Sequence, residues 1–99
     1  MLNQISELYL SLGESLENNG IEGFALPISK ANLILKICEA NRILVLGGDI
    51  YIKKPHGDFD YFYADWFYEG NSIEESTLKA HNYLEQFERE DLYVSFTLK

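Results

Sequence analysis

Two runs rich in β-branched and aromatic residues, Ile43 to Lys54 and Phe59 to Tyr68, flank the turn-forming residues Pro55, His56, Gly57 and Asp58. That pattern predicts an antiparallel β-hairpin and constrains everything else the chain can do. In the first run Leu44, Leu46, Ile50 and Ile52 share one parity and are expected to face a core. Asp49, Tyr51 and Lys53 take the other parity. Gly47 and Gly48 interrupt the run, which signals a bulge or a close approach of backbone. In the second run, the Ala64-Asp65-Trp66 step predicts a break in alternation near Asp65.

The remaining elements follow from periodicity. Leu2, Ile5, Leu8, Tyr9, Leu12 and Leu16 recur at steps of three and four, predicting an amphipathic helix from Leu2 to about Glu17. Asn18, Asn19 and Gly20 would end it. A connector carrying Phe24 and Leu26 as core plugs leads to Pro27. A second helix is predicted from about Ser29 to Ala40, burying Ala31, Ile34, Leu35 and Cys38 and closed by Asn41. Ser72 followed by Glu75 reads as a capping box. It opens a third helix to about Glu88, with Ile73, Thr77, Ala80, Leu84 and Phe87 inward. Leu92 to Leu98 alternates as a last strand with one solvated face. The expectation is a single α+β domain over residues 1–99, in the order α-α-β-β-α-β. Helices would cover one face of a small antiparallel sheet.

Charge narrows the functional classes. The formal net charge is −8, from 16 acidic and 8 basic residues. This disfavours nucleic acid and anionic membrane surfaces, which need clustered Lys and Arg. It favours a basic partner, through long-range attraction, or equally serves as a soluble acidic surface. No apolar run is long enough to span a bilayer. No basic residue precedes Lys30, so the secretory-signal pattern is missing; Met1 reads as an intact start and the expected location is the cytoplasm. The single cysteine, Cys38, can build neither an intramolecular disulfide nor a zinc site, and reads as a small buried hydrophobe.

The strongest local bias lies between Pro55 and Leu78. That stretch holds Asp58, Asp60, Asp65, Glu69, Glu74 and Glu75 without a Lys or Arg. It also holds Phe59, Tyr61, Phe62, Tyr63, Trp66, Phe67 and Tyr68, half of the chain's 14 aromatic residues. Strand side chains alternate between faces, so such a ribbon cannot bury every ring by itself. Rings beside carboxylates suit the centre of an interface with a basic protein. The plainer account is that the second face packs under a helix or a dimer mate. Asp49, Tyr51, Asp58, Asp60, Asp65, Trp66, Tyr68 and Glu69 are the candidate partner-binding residues. Gly47, Gly48 and Trp66 could equally serve the fold alone.

Catalytic readings fare poorly. The Gly47-Gly48-Asp49 triplet continues Ile50-Tyr51, unlike a nucleotide cyclase, and its glycines do not open a helix as a phosphate loop requires. Asp58, Asp60 and Asp65 lack the spacing of a calcium loop, so no metal or cofactor is expected. His56 and His81 have no nucleophile nearby in sequence. The chain is expected not to be an enzyme. The alternative is a non-catalytic adaptor or homodimeric scaffold offering its terminal strand as a sheet edge. A small carboxylate hydrolase is a distant third.

The chain also resembles the Immunity protein 40 family, predicted immunity proteins of bacterial polymorphic toxin systems. The resemblance covers about Gly23 to Leu84. It rests on Leu46-Gly47-Gly48-Asp49-Ile50-Tyr51, on Asp65-Trp66-Phe67-Tyr68-Glu69, and on the helix from Ser72 to Tyr83. The family pattern pairs a LGGDVY-like strand with a DNWYYE-like segment. Here Trp66 follows Asp65 directly, and Phe67 stands at a position where the pattern has an aromatic hydroxyl. The resemblance implies a non-enzymatic inhibitor that binds a cognate toxin, with a nuclease as one basic-surfaced possibility.

Overall fold

The computed structural model describes residues 2–16, 23–55, 59–87 and 89–99, without the side chains of residues 2, 3 and 60–63. The order is α1 (Leu2–Leu12), β1 (Glu14–Ser15), β2 (Phe24–Pro27), α2 (Ala31–Ala40), β3 (Val45–Lys53), β4 (Phe59–Phe67), α3 (Ile73–Leu84) and β5 (Leu92–Leu98). A 3₁₀ turn, Ile28–Lys30, leads into α2. The five strands form one antiparallel sheet in the order β1-β2-β5-β3-β4. The α+β class is as expected. The order differs from the expected α-α-β-β-α-β by the two short strands β1 and β2 ahead of α2.

Several local readings hold. Helix α2 buries Ala31, Ile34, Leu35 and Cys38. It closes at Asn41, with Arg42 in the left-handed region at φ 57° and the Ile43 amide donating to Cys38 O at 2.8 Å. That is a Schellman turn made without glycine. Strand β5 turns Leu92 and Val94 fully inward, with Phe96 and Leu98 packed on the same core. In α3, Ser72 Oγ accepts the Glu75 amide at 3.2 Å. The other half of the capping box is relayed: the Ser72 amide donates to Tyr68 Oη at 3.2 Å, and that hydroxyl donates to Glu75 Oε2 at 3.0 Å.

Other readings need correction. Helix α1 ends at Leu12, because Gly13 lies where the chain meets β2; a Cβ there would come within 2.6 Å of Ala25 O and 2.7 Å of Tyr9 O. Leu16 is therefore not on the helix stripe but buried beyond β1. Phe24 and Leu26 belong to a strand rather than a connector, and only Leu26 is fully buried. Helix α3 ends at Leu84, short of Glu88. The expected helix stop at Asn18 to Gly20 and most of the turn, residues 56–58, lie outside the described residues.

In the hairpin, β3 carries a bulge against β5: Val45 pairs with Leu98 and Gly47 with Thr97, leaving Leu46 extra. One extra residue reverses parity. Val45, rather than Leu46, thus joins Ile50 in the main core; Leu44, ahead of the strand, is buried as expected, and Leu46 is only half-buried. The break in β4 falls beyond Ala64 and not at Asp65, because Ile50 pairs with Ala64 but Tyr51 with Phe62. Three helices and one sheet face enclose the main core, in which Ile5, Leu26, Ile34, Ile50, Trp66 and Val94 meet. A second cluster of Leu16, Ala25, Tyr51 and Phe59, with Tyr93 packed beside it, closes part of the opposite face.

Candidate functional site

Ile50, Trp66 and Val94 point to the helices, so their neighbours Asp49, Asp65 and Ser95 point the other way. Asp49 pairs with Asp65 on one side and with Ser95 on the other. The next row holds Thr97, Gly47 and Phe67. These two rows form the part of the sheet face that the second cluster leaves uncovered. Phe67 lies there 66 % exposed, and Asp65 is exposed beside it.

The two aspartates are closely opposed. The Tyr68 amide donates to Leu46 O at 2.7 Å, which places Gly47/Phe67 and Asp49/Asp65 at the non-hydrogen-bonded positions of the ladder. Side chains stand closest at such positions, and like charges directly opposite destabilise a sheet. Partial burial, reinforced by the charge of Asp65, pushes the Asp49 carboxyl above its usual value. Among the described residues neither aspartate is paired with a base. Lys53 is engaged with Glu14, Arg42 with Glu74 and Arg89 with Asp91.

The fold therefore carries a penalty at this pair. Because the folded-state pKa of Asp49 is raised, the penalty is present above that pKa and relieved as pH falls through it. Asp49→Asn is expected to stabilise the free chain at neutral pH by about 0.2–1 kcal/mol, the lower end being favoured by solvent screening. The gain should vanish at acid pH, where wild-type Asp49 is itself protonated. Urea denaturation at neutral pH and at a pH below the ordinary carboxylate range checks both; a neutral-pH loss of stability would contradict the reading.

The sequence-derived candidates divide into groups. Asp49, Asp65 and Glu69 are accessible to different degrees. Tyr51 and Trp66 are not: they are 5 % and 7 % exposed, Tyr51 against Phe59 and Trp66 beneath α3. Tyr51 is inside because the far face is not simply solvated; Leu16 and Ala25 pack over it. Trp66 is inside because it alternates with Asp65. Tyr68 is half-buried and folds over Gly70, with its hydroxyl committed to the α3 cap. Asp58 lies outside the described residues, as does the side chain of Asp60, which is in β4.

Phe67 is the site residue missing from the candidates. The alternation Asp65-Trp66-Phe67 could have found it, since Phe67 shares the parity of Asp65. Gly47 and Gly48 shape the site from beneath. Gly47 has φ 155°, and a Cβ on it would lie 2.9 Å from Phe67 Cα. A Cβ on Gly48 would lie 2.6 Å and 2.8 Å from the Trp66 ring and 2.9 Å from Ser95 O.

Little else gathers reactive groups. Cys38 is wholly buried, and that burial raises its thiol to about 11. His81 bridges Asn32 Oδ1 at 3.2 Å and Glu85 Oε1 at 2.9 Å on the helical surface. Among the described residues there is no group of three or more His, Cys, Asp or Glu side chains able to hold a metal ion. Among them, too, no helix is long and apolar enough to cross a membrane.

Comparison with known proteins adds one finding. Residues 15–98 match the family model described as Immunity protein 40. No curated protein and no solved structure matches the chain. The match spans most of the sequence, and the chain belongs to the Immunity protein 40 family.

Proposed function

We propose that this member of the Immunity protein 40 family binds and neutralises a cognate bacterial toxin by direct contact, without catalysis, in the cytoplasm of the producing cell. The observation that carries the reading is the unneutralised Asp49–Asp65 pair beside exposed Phe67 on the uncovered sheet face. A free protein gains nothing from opposing two carboxylates across strands. A complex does, if a cationic group of the partner comes between them. Phe67 supplies apolar area next to the charges, the combination typical of energetic centres in interfaces. The net charge of −8 extends the attraction over a Debye length and speeds encounter with a basic surface. Toxins that act on nucleic acid present such a surface, and a nuclease is the partner class proposed.

Asp49, Asp65, Phe67 and Glu69 form the proposed contact set. Asp58 and Asp60, candidates from the sequence alone, complete the proposed set. Tyr51, Trp66 and the two glycines hold the ribbon in shape, and Tyr68 ties it to α3. The scaffold alternative relied on the terminal strand as a sheet edge. That strand is β5, which lies between β2 and β3.

Co-expression tests the reading. The toxin domain encoded in the neighbouring reading frame should arrest growth when produced alone. The intact immunity chain should restore growth and co-purify with the domain at fixed stoichiometry. Rescue without a stable complex, or no rescue, would contradict it.

A further inference from the structure

We infer that the toxin is held partly through main-chain pairing: an extended basic segment of it joins the free edge of β4 as a sixth strand over Ala64–Phe67. This rests on the toxin-binding reading above and adds the manner of contact.

Among the described residues, strand β4 ends the sheet and pairs only with β3. The hydrogen bond from the Tyr68 amide to Leu46 O fixes the phase of the ladder. In that phase the amide and carbonyl of Asp65 and of Phe67 point away from β3, toward the edge. One of these four groups is occupied: Lys79 Nζ donates to Phe67 O at 2.7 Å. The other three have no protein partner among the described residues. Pairing with β3 is regular from Ala64 to Phe67, and the register shifts only beyond it. A strand of about four residues therefore finds a straight edge.

The edge also has a wall. Helix α3 runs beside it, anchored by Tyr83, whose ring lies 5.1 Å from that of Trp66. Leu78, Lys79 and Tyr83 line a shallow trough of about 440 Å³ on the surface of α3 itself, and Leu78 is exposed. An added strand would alternate its side chains between the α3 side, from which Lys79 reaches Phe67 O, and the open face bearing Asp65.

Charge selects the occupant. Asp65 and Glu69 border the edge on the chain's side, and Glu75 stands at the trough. A basic segment is attracted to that setting. A second copy brings its own −8 charge. It also brings its own Lys79, and lysines at an edge discourage pairing of like with like.

The test uses the full-length ¹⁵N-labelled chain, alone and with the inactivated toxin domain from the neighbouring reading frame. Alone, the Asp65 and Phe67 amides should exchange quickly with solvent at every protein concentration. In the complex their exchange should slow at least tenfold. Asp65→Pro, tolerated where the amide faces outward, should weaken binding at least tenfold more than Asp65→Ala. Lys79→Ala should bind at least as tightly as wild type. Unchanged exchange of both amides in a complex that does form would overturn the inference and leave the toxin-binding reading standing. So would equal affinities of the two Asp65 variants. Protection that rises with concentration of the chain alone would show self-pairing and overturn it as well. Absence of any complex removes both together.

Discussion

Trp66→Ala is expected to remove about 3–5 kcal/mol of folding stability, from a total of about 5–15 kcal/mol for a domain of this size. The indole is the largest group that the hairpin sends into the main core. It meets Tyr83 at 5.1 Å and Phe96 at 5.9 Å between ring centroids. Its six-membered ring lies over Gly48, in a slot that any side chain at that position would fill. Truncation leaves a cavity between α3 and the sheet that neither can close without moving the other. The indole N–H has no acceptor among the described residues, so its burial is not offset by a hydrogen bond. Trp66→Phe should therefore cost much less than truncation, because it gives up the unpaired polar group along with part of the ring. Since Trp66 is the sole tryptophan, far-UV circular dichroism in urea is the appropriate probe. A loss below about 1 kcal/mol on truncation would show that the core does not depend on this ring.

Asp65→Lys is expected to do the reverse, keeping the fold and abolishing most of the binding. In the free chain the new lysine faces Asp49 across the ladder and turns a like-charge pair into an opposite-charge pair. That change is worth about 0.2–1 kcal/mol in favour of folding. Against a cationic partner it reverses the sign of the most accessible charge on the open face. Affinity should fall about tenfold to a thousandfold, the range of roughly 1–4 kcal/mol that a central interface residue commands. Much of the loss should lie in the association rate and shrink as salt is raised, because Asp65 is exposed and its field is screened over about 10 Å at 0.1 M. Calorimetry or surface plasmon resonance at two ionic strengths measures this. A variant that folds well and binds as tightly as wild type would remove Asp65 from the interface.

The opposed effects expected at Trp66 and Asp65 show what was legible in the sequence and what was not. Periodicity is a local signal. It located the buried stripe of α2, the alternation of β5 and the Ser72 cap, all of which depend on residues a few positions apart. The paired glycines marked a bulge or a close approach, and both are present: the bulge lies at Leu46, and the Trp66 ring lies against Gly48. Strands β1 and β2 were not legible: two and four residues carry no period, and Leu26 finds its partner Val94 far along the chain. The burial of Tyr51 was hidden for the same reason. Its parity pointed outward, and nothing near it in sequence shows that Leu16 and Ala25 fold over that end of the sheet. Trp66 and Phe67 were legible in principle. The alternation that exposes Asp65 must bury Trp66 and expose Phe67, and the density of aromatics obscured it.

On the proposed function, a trade of stability for recognition connects these results. The core packs Trp66, Tyr83 and Phe96 together beneath the sheet face that bears Asp49 and Asp65. The surface itself is worse for folding than its neutral counterpart. Its location can be read directly from the complex. Amide chemical shifts of the labelled chain, titrated with the inactivated toxin domain, should move most at Asp49, Asp65, Phe67, Ser95 and Thr97, while the surface between α2 and α3 stays still. Shifts gathered instead around Asn32, Glu39, Glu74 and His81, with the sheet face unmoved, would place the toxin on the helices and contradict the account.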